Sequence, residues 1–207
     1  MKKLITILAI LTVLVGAIFA DPANHTIKLT VTIAEDVPSY ILKATAGATT
    51  ASAAAGETVE TALTDANRTA LLGASGTADV AFAVQQVTNS RTLAGYTMTI
   101  NASNLVLVST TDGSIDRTFD QAVANATANE KFTVVSAAPN ITKGSETNIA
   151  YTGSGTSSLH VKYDGVQVVA SAQSPVSIGT FTVQYNANAS AKPGNYVASV
   201  KLTVTAD

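Results

Sequence analysis

The 207-residue chain has no cysteine and no tryptophan, only two histidines, 5% aromatic residues and 13% charged residues. Without cysteine there are no disulfides, thiolate nucleophiles, thiolate zinc sites, iron–sulfur clusters or bacterial-type lipid anchors on cysteine. The formal net charge of −2 leaves no basic footprint for nucleic acid or for an anionic membrane surface. Without tryptophan, a sugar-stacking platform has to rest on tyrosine alone. The nucleophile elbow, the HExxH zinc motif, the phosphate loop and the dinucleotide glycine fingerprint are all missing from the sequence.

The remaining chemistry is thin. His25 reads as part of an N-terminal tail and His160 as the polar face of a hairpin, both solvated. Asp112-Gly113-Ser114-Ile115-Asp116 brings two carboxylates close together. It lacks the other oxygen ligands of a calcium loop, so it reads as a turn. A pair of carboxylates that meet only in space, as glycoside cleavage requires, stays open as an alternative. No catalytic residue, metal ligand or cofactor is assigned, and no enzymatic activity is expected.

What is present begins with an address. Lys2 and Lys3 precede an apolar stretch from Leu4 to Phe19, and Ala20 stands before Asp21-Pro22. This is the pattern of a signal peptide over residues 1–20. The stretch is shorter than the roughly 20 residues a membrane-spanning helix wants, which disfavours the rival reading as an uncleaved anchor. The expected route is export, through the periplasm to the cell surface.

The rest of the chain alternates apolar and polar residues in short runs, the period of half-buried strands. In Thr26 to Ile33 the residues Ile27, Leu29, Val31 and Ile33 share one face, and Tyr196 to Thr205 puts Tyr196, Ala198, Val200, Leu202 and Val204 on another. Further strands are expected at 39–44, 78–87, 95–100, 105–109, 131–136, 147–151 and 178–185. Asp164-Gly165 is a two-residue hairpin signal, because both turn positions favour φ > 0. It predicts that 159–163 pairs with 166–170, Val161 opposite Val168. Pro193-Gly194-Asn195 reads as a turn into the last strand. Ala44 to Gly56 is made of small residues and reads as a surface loop or weak edge. Asp120 to Glu130 reads either as one or two helical turns or as an irregular crossover. Six Asn-x-Ser/Thr sequons (Asn24, Asn67, Asn101, Asn125, Asn140, Asn188) carry meaning only in a glycosylating host. Many short strands with polar turns predict one all-β sandwich domain. The expected division is a leader (1–20), an alternating N-terminal segment (21–36) and a sandwich (37–207).

The order of these features resembles that of chaperone–usher fimbrial major subunits, especially the alpha or CS1-type pilins. The resemblance rests on Thr26-Ile27-Lys28-Leu29-Thr30-Val31-Thr32-Ile33 near the mature N-terminus. It also rests on Ala191-Lys192-Pro193-Gly194-Asn195-Tyr196 with the alternating strand that follows, and more weakly on Gln86 to Leu107. It implies an Ig-like, pilin-like sandwich that lacks one strand and is completed by the N-terminal segment of another copy. Ile27, Leu29, Val31 and Ile33 would then form the donor strand, and Tyr196, Val200, Leu202 and Val204 would line the acceptor groove. The implied partners are copies of the chain in a head-to-tail polymer, a periplasmic chaperone and an outer-membrane usher. Two alternatives stay open: Thr26–Ile33 as the first strand of a complete sandwich, and a monomeric Ig-like module that binds a glycan or host protein through its loops.

Overall fold

The computed structural model describes residues 24–33, 37–89, 95–137, 139–144, 149–152, 158–163 and 169–207. The predicted leader over 1–20 lies outside them. The chain is an all-β sandwich of two packed sheets, with two short α-helices and one 3-10 turn among the described residues.

The larger sheet contains β1 (His25–Ile33), β4 (Thr58–Ala62), β6 (Gly95–Ala102), β7 (Leu105–Ser109), β8 (Lys131–Phe132), β10 (Ile149–Thr152), β11 (Ser158–Tyr163) and β13 (Asn195–Ala206). Its main path runs β10-β11-β6-β13-β1-β4, with β7 paired to the start of β13 and β8 paired to β7. The smaller sheet contains β2 (Tyr40–Ala46), β3 (Ser52–Ala53), β5 (Thr77–Gln86), β9 (Thr142–Lys143) and β12 (Val176–Asn186), in the order β3-β2-β5-β12-β9. Each strand expected from alternation has a counterpart, although 131–136 shortens to Lys131–Phe132 plus a bridge from Val134 to Tyr185.

The core follows from that alternation. Tyr40, Leu42 and Ala44 of β2 point inward, as do Ala78, Val80 and Phe82 of β5 and Phe181, Val183 and Tyr185 of β12. Phe82 and Phe181 are directly paired across the ladder and stack with ring centroids 5.2 Å apart. In β7 the consecutive residues Leu105, Val106 and Leu107 are all buried, and the helix Phe119–Asn125 lies beside that strand. This helix realises the helical alternative for 120–130. Thr118 and Gln121 form a capping box at its start, each side chain meeting the other's backbone N–H.

Two expectations are corrected. Residue Val161 of β11 pairs with Tyr151 of β10 on one side and with Tyr96 of β6 on the other. Both edges of that strand are therefore occupied, and 166–170 is not its partner. Residues 164–168, with the predicted turn, lie outside the described residues. The weak-edge alternative for Ala44–Gly56 holds: Ser52–Ala53 is a two-residue strand at the edge of the smaller sheet, with Ala53 fully buried. His25 does not lie in a solvated tail but is 1% exposed at the start of β1. The strands β4 and β9 and the helix Asp65–Leu71 were not expected. That helix is capped by Thr64, whose side-chain oxygen accepts from the Asn67 backbone N–H.

At the 193–195 turn Gly194 adopts φ 155°, and a Cβ there would collide with the Ser109 carbonyl. The turn expectation and the glycine requirement thus coincide at the entrance to β13.

Candidate functional site

The two residue sets singled out from the sequence meet in one place. β1 is inserted between β13, to which it runs parallel, and β4, to which it runs antiparallel. The β1–β13 pairing is the one parallel ladder among the described strands. Ile27 stands opposite Ala198, Leu29 opposite Val200, Val31 opposite Leu202 and Ile33 opposite Val204. Ile27, Leu29 and Val31 are fully buried, and Ile33 is half-buried against the same core. Tyr196, Val200, Leu202 and Val204 are buried as well. The predicted donor and acceptor thus form a single interior slot within one chain.

The second wall of that slot was not foreseen. Val59 of β4 faces Leu29, and Thr61 faces Ile27 while its hydroxyl meets the Thr49 hydroxyl at 3.1 Å. Two backbone bonds close the flanks: the Leu63 N–H donates to the His25 carbonyl, and the Gly56 N–H donates to the Val31 carbonyl. On the outer face Lys28 and Glu60 form an exposed ion pair at 3.4 Å. Burying three aliphatic side chains contributes on the order of 5–9 kcal/mol before the chain-entropy cost of ordering the strand.

The N-terminal end of the slot is aromatic. His25 stacks on Tyr196 with centroids 5.1 Å apart and planes 12° from parallel, and Phe132 lies 5.7 Å from His25 and 4.9 Å from Tyr196. The Tyr196 hydroxyl donates to the Lys192 carbonyl at 2.7 Å, and its backbone N–H donates to the Asn24 carbonyl at 2.9 Å. Behind this cluster sits Glu130, 3% exposed. The Lys192 ammonium donates to one of its carboxylate oxygens at 2.7 Å. The other oxygen accepts from Arg117 at 2.9 Å and from the Thr127 backbone N–H at 3.2 Å. The Lys192 and Arg117 bonds hold the carboxyl down from 4.5 to about 2. Nothing in the composition announced this cluster. The signal that was available for His25 is that the alternation Ile27, Leu29, Val31 extends one step upstream to it.

The other candidates from the sequence resolve into local structure. Asp112 accepts from the Ser114 N–H at 3.0 Å and from the Ser114 hydroxyl at 2.7 Å, which makes the segment an Asx-type turn. Hydrogen bonds from Thr110 and Ser114 lower its carboxyl to about 2. Among the described residues no group of three or more His, Asp or Glu is arranged to hold a metal ion. His160 pairs by its backbone with Thr97 and Thr152, and its side chain lies outside what is described. Two sequon side chains are committed to the fold. The Asn67 amide donates to the Gly47 and Asp79 carbonyls, and that of Asn188 donates to Ala128 and Lys131.

A separate concavity of about 390 Å³ lies along the outer edge of β12, lined by Val135, Asn140, Thr142, Thr180, Thr182 and Gln184 among others. Its lining is hydroxyl, amide and apolar, with no ionisable side chain. No protein-family model matches the chain, and no curated protein matches it.

Proposed function

We propose that this chain is an exported structural subunit of a surface fibre that polymerises by handing β1 from one copy to the next, without catalytic activity of its own. The observation that carries this reading is the seat of β1. The strand fills an interior slot between two strands distant in sequence, only residues 34–39 connect it onward to β2 in the opposite sheet, and removal of the proposed leader would leave it near the N-terminus. A connection of that length spans at most roughly 20 Å when extended. An identical slot on a second copy offers β1 the same partners, so exchange costs little in contact energy. A head-to-tail exchange does not close on itself and yields a fibre. An emptied slot is an exposed edge, which suits assisted delivery by a periplasmic chaperone and an outer-membrane usher.

A second reading, a monomeric secreted binding module, is favoured by one specific observation: β1 already satisfies the slot of its own chain. In that case the uncharged cleft beside β12 is the place for a neutral, hydroxyl-rich ligand such as a glycan.

Electrophoresis of the native exported protein with and without boiling, beside negative-stain microscopy, separates the two. A boiling-sensitive ladder with thin fibres is the expected result. A cooperatively folding monomer with no ladder at any concentration overturns the fibre reading and leaves the binding module.

A further inference from the structure

The inward side chains of β1 downstream of its first residue are all aliphatic: Ile27, Leu29, Val31 and Ile33. A one-residue slip would turn them to solvent and is strongly opposed. A slip of two residues is different, because it returns aliphatic side chains to aliphatic neighbours. Along β13 these neighbours are Ala198, Val200, Leu202 and Val204, and the three larger ones, which form the middle of the slot, discriminate little among Ile, Leu and Val. The middle of the slot therefore specifies the face of β1 but not its position along the strand.

We infer that His25 is the residue that sets this position: it is a register pin, seated against the rings of Tyr196 and Phe132, for whichever copy supplies β1. It is the single aromatic side chain on β1 and stands opposite the single aromatic side chain on β13, Tyr196, in the parallel ladder. The near-parallel stack at 5.1 Å, with Phe132 closing one side, forms at one register only. Displaced by two residues in one direction, His25 faces Ala198 and the ring pair is lost. In the other direction Ile27 faces Tyr196 and His25 leaves the sheet. Ring pairs of this kind contribute beyond their buried area.

The seat is itself rigid. Tyr196 is anchored through its hydroxyl to the Lys192 carbonyl, and the Lys192 ammonium is anchored to buried Glu130. Phe132 is fixed in β8 opposite Leu105. For contacts between copies the inference rests on the exchange reading above; within one chain it stands alone.

The chain contains no cysteine, so the register can be read by placing one pair at a time. Thr30→Cys is combined, in the full-length protein, with Ser199→Cys, Lys201→Cys or Thr203→Cys on the outer face of β13. Thr30 stands opposite Lys201 in the structure. Neighbours two residues away along the strand lie about 8 Å off by strand geometry, beyond the reach of a disulfide. With His25 present, mild oxidation links residue 30 to 201 and leaves 199 and 203 largely unlinked.

In His25→Leu, which keeps bulk and burial but removes the ring, that preference is lost and the three yields converge. In His25→Phe, which keeps a ring, the preference for 201 returns. An unchanged preference for 201 in His25→Leu overturns the inference, as does a preference lost in both variants. Non-reducing gels distinguish its failure from that of the exchange reading. Links confined to the monomer band defeat exchange between copies while still reporting the register, and links in a ladder report both.

Discussion

β1 and β12 both turn alternate apolar side chains into the core, yet they differ in how each is continued along the chain. Both alternate buried and exposed residues, with Ile27, Leu29 and Val31 on one strand and Phe181, Val183 and Tyr185 on the other. β12 is paired along its whole length with β5 and continues into chain at both ends. β1 is paired on both edges, and with residues 1–20 removed, as the proposed export implies, it would be tied onward at one end only. Burial measures how much a strand contributes; connectivity decides whether it can be donated. On that proposal β1 leaves its slot without tearing a loop, whereas a strand continued at both ends leaves only by unfolding the sheet.

That contrast is broken most sharply by placing a charge in each strand. Val183→Asp and Leu29→Asp both bury a carboxylate in the hydrophobic core, a change expected to cost upward of about 4 kcal/mol. Val183→Asp should leave no folded protein by circular dichroism or thermal melting. Leu29→Asp should expel β1 and abolish fibres made from that variant alone, while its empty slot still accepts β1 from a wild-type copy. Co-expression of Leu29→Asp with wild type is therefore expected to shorten fibres in proportion to the variant's share, as seen by negative stain. Fibres of normal length from Leu29→Asp alone would show that β1 is not the exchanged element. Val31→Asp is the companion variant, with the same expectation.

The next effect in size belongs to the turn that leads into β13. Gly194→Ala is expected to destabilise by roughly 2–3 kcal/mol, because it combines a backbone conformation that side chains avoid with a collision against the Ser109 carbonyl. The check is the denaturant midpoint. Since that turn positions Tyr196, the same variant should also weaken the 30–201 cross-link preference, whereas a loss of similar size placed in β12 should not.

How much of this was legible from the sequence depends on the kind of signal. Strands with a period of two and large apolar residues, such as Thr26–Ile33 and Tyr196–Thr205, were readable because the pattern itself is the cause of their burial. β4 was not, because Thr58-Val59-Glu60-Thr61-Ala62 offers a single large apolar residue and gains its place by pairing with β1. The Asp164-Gly165 signal was readable but did not decide the partner, since β10 and β6 fill both edges of β11. His25 and Glu130 were hidden for a shared reason. A polar residue is buried only when distant segments supply its partners, and no local pattern encodes Tyr196 and Phe132 for the one or Arg117 and Lys192 for the other. The adjacency of the donor and acceptor sets was expected from the family resemblance, and their joining within one chain matches the open alternative of Thr26–Ile33 as the first strand of a complete sandwich.

Glu130 and Tyr185 sharpen the comparison as two buried polar groups with opposite provision. Glu130 stands behind the slot with bonds from Lys192, Arg117 and Thr127. Its carboxyl lies below the ordinary value, so it stabilises the fold above about pH 4.5 and that contribution is lost as pH falls toward about 2. Wild-type stability should therefore decline across this acid window. In Glu130→Gln the decline should be shallower, with an overall loss on the order of 1–2 kcal/mol at neutral pH. Thermal melts from pH 2 to 7 read both quantities, and equal pH slopes for the two proteins would remove Glu130 from the acid response.

Tyr185, on β12, has the contrary arrangement. Its ring is fully buried in the core, and its hydroxyl has no hydrogen-bond partner among the described residues. Burial pushes that phenol above its ordinary pKa. Removing an unpaired buried hydroxyl while keeping the ring gives up no hydrogen bond and relieves a desolvation cost. Tyr185→Phe is accordingly expected to raise stability by about 1 kcal/mol, seen as a higher denaturant midpoint at unchanged slope. The same substitution at Tyr196, whose hydroxyl reaches the Lys192 carbonyl, should lower it instead. Opposite signs from one chemical change would show that the Tyr196 hydroxyl is provided for beside β1 while the Tyr185 hydroxyl on β12 is not. A loss of stability in Tyr185→Phe would mean that its hydroxyl is satisfied by ordered water, and the contrast between the two regions would then rest on connectivity alone.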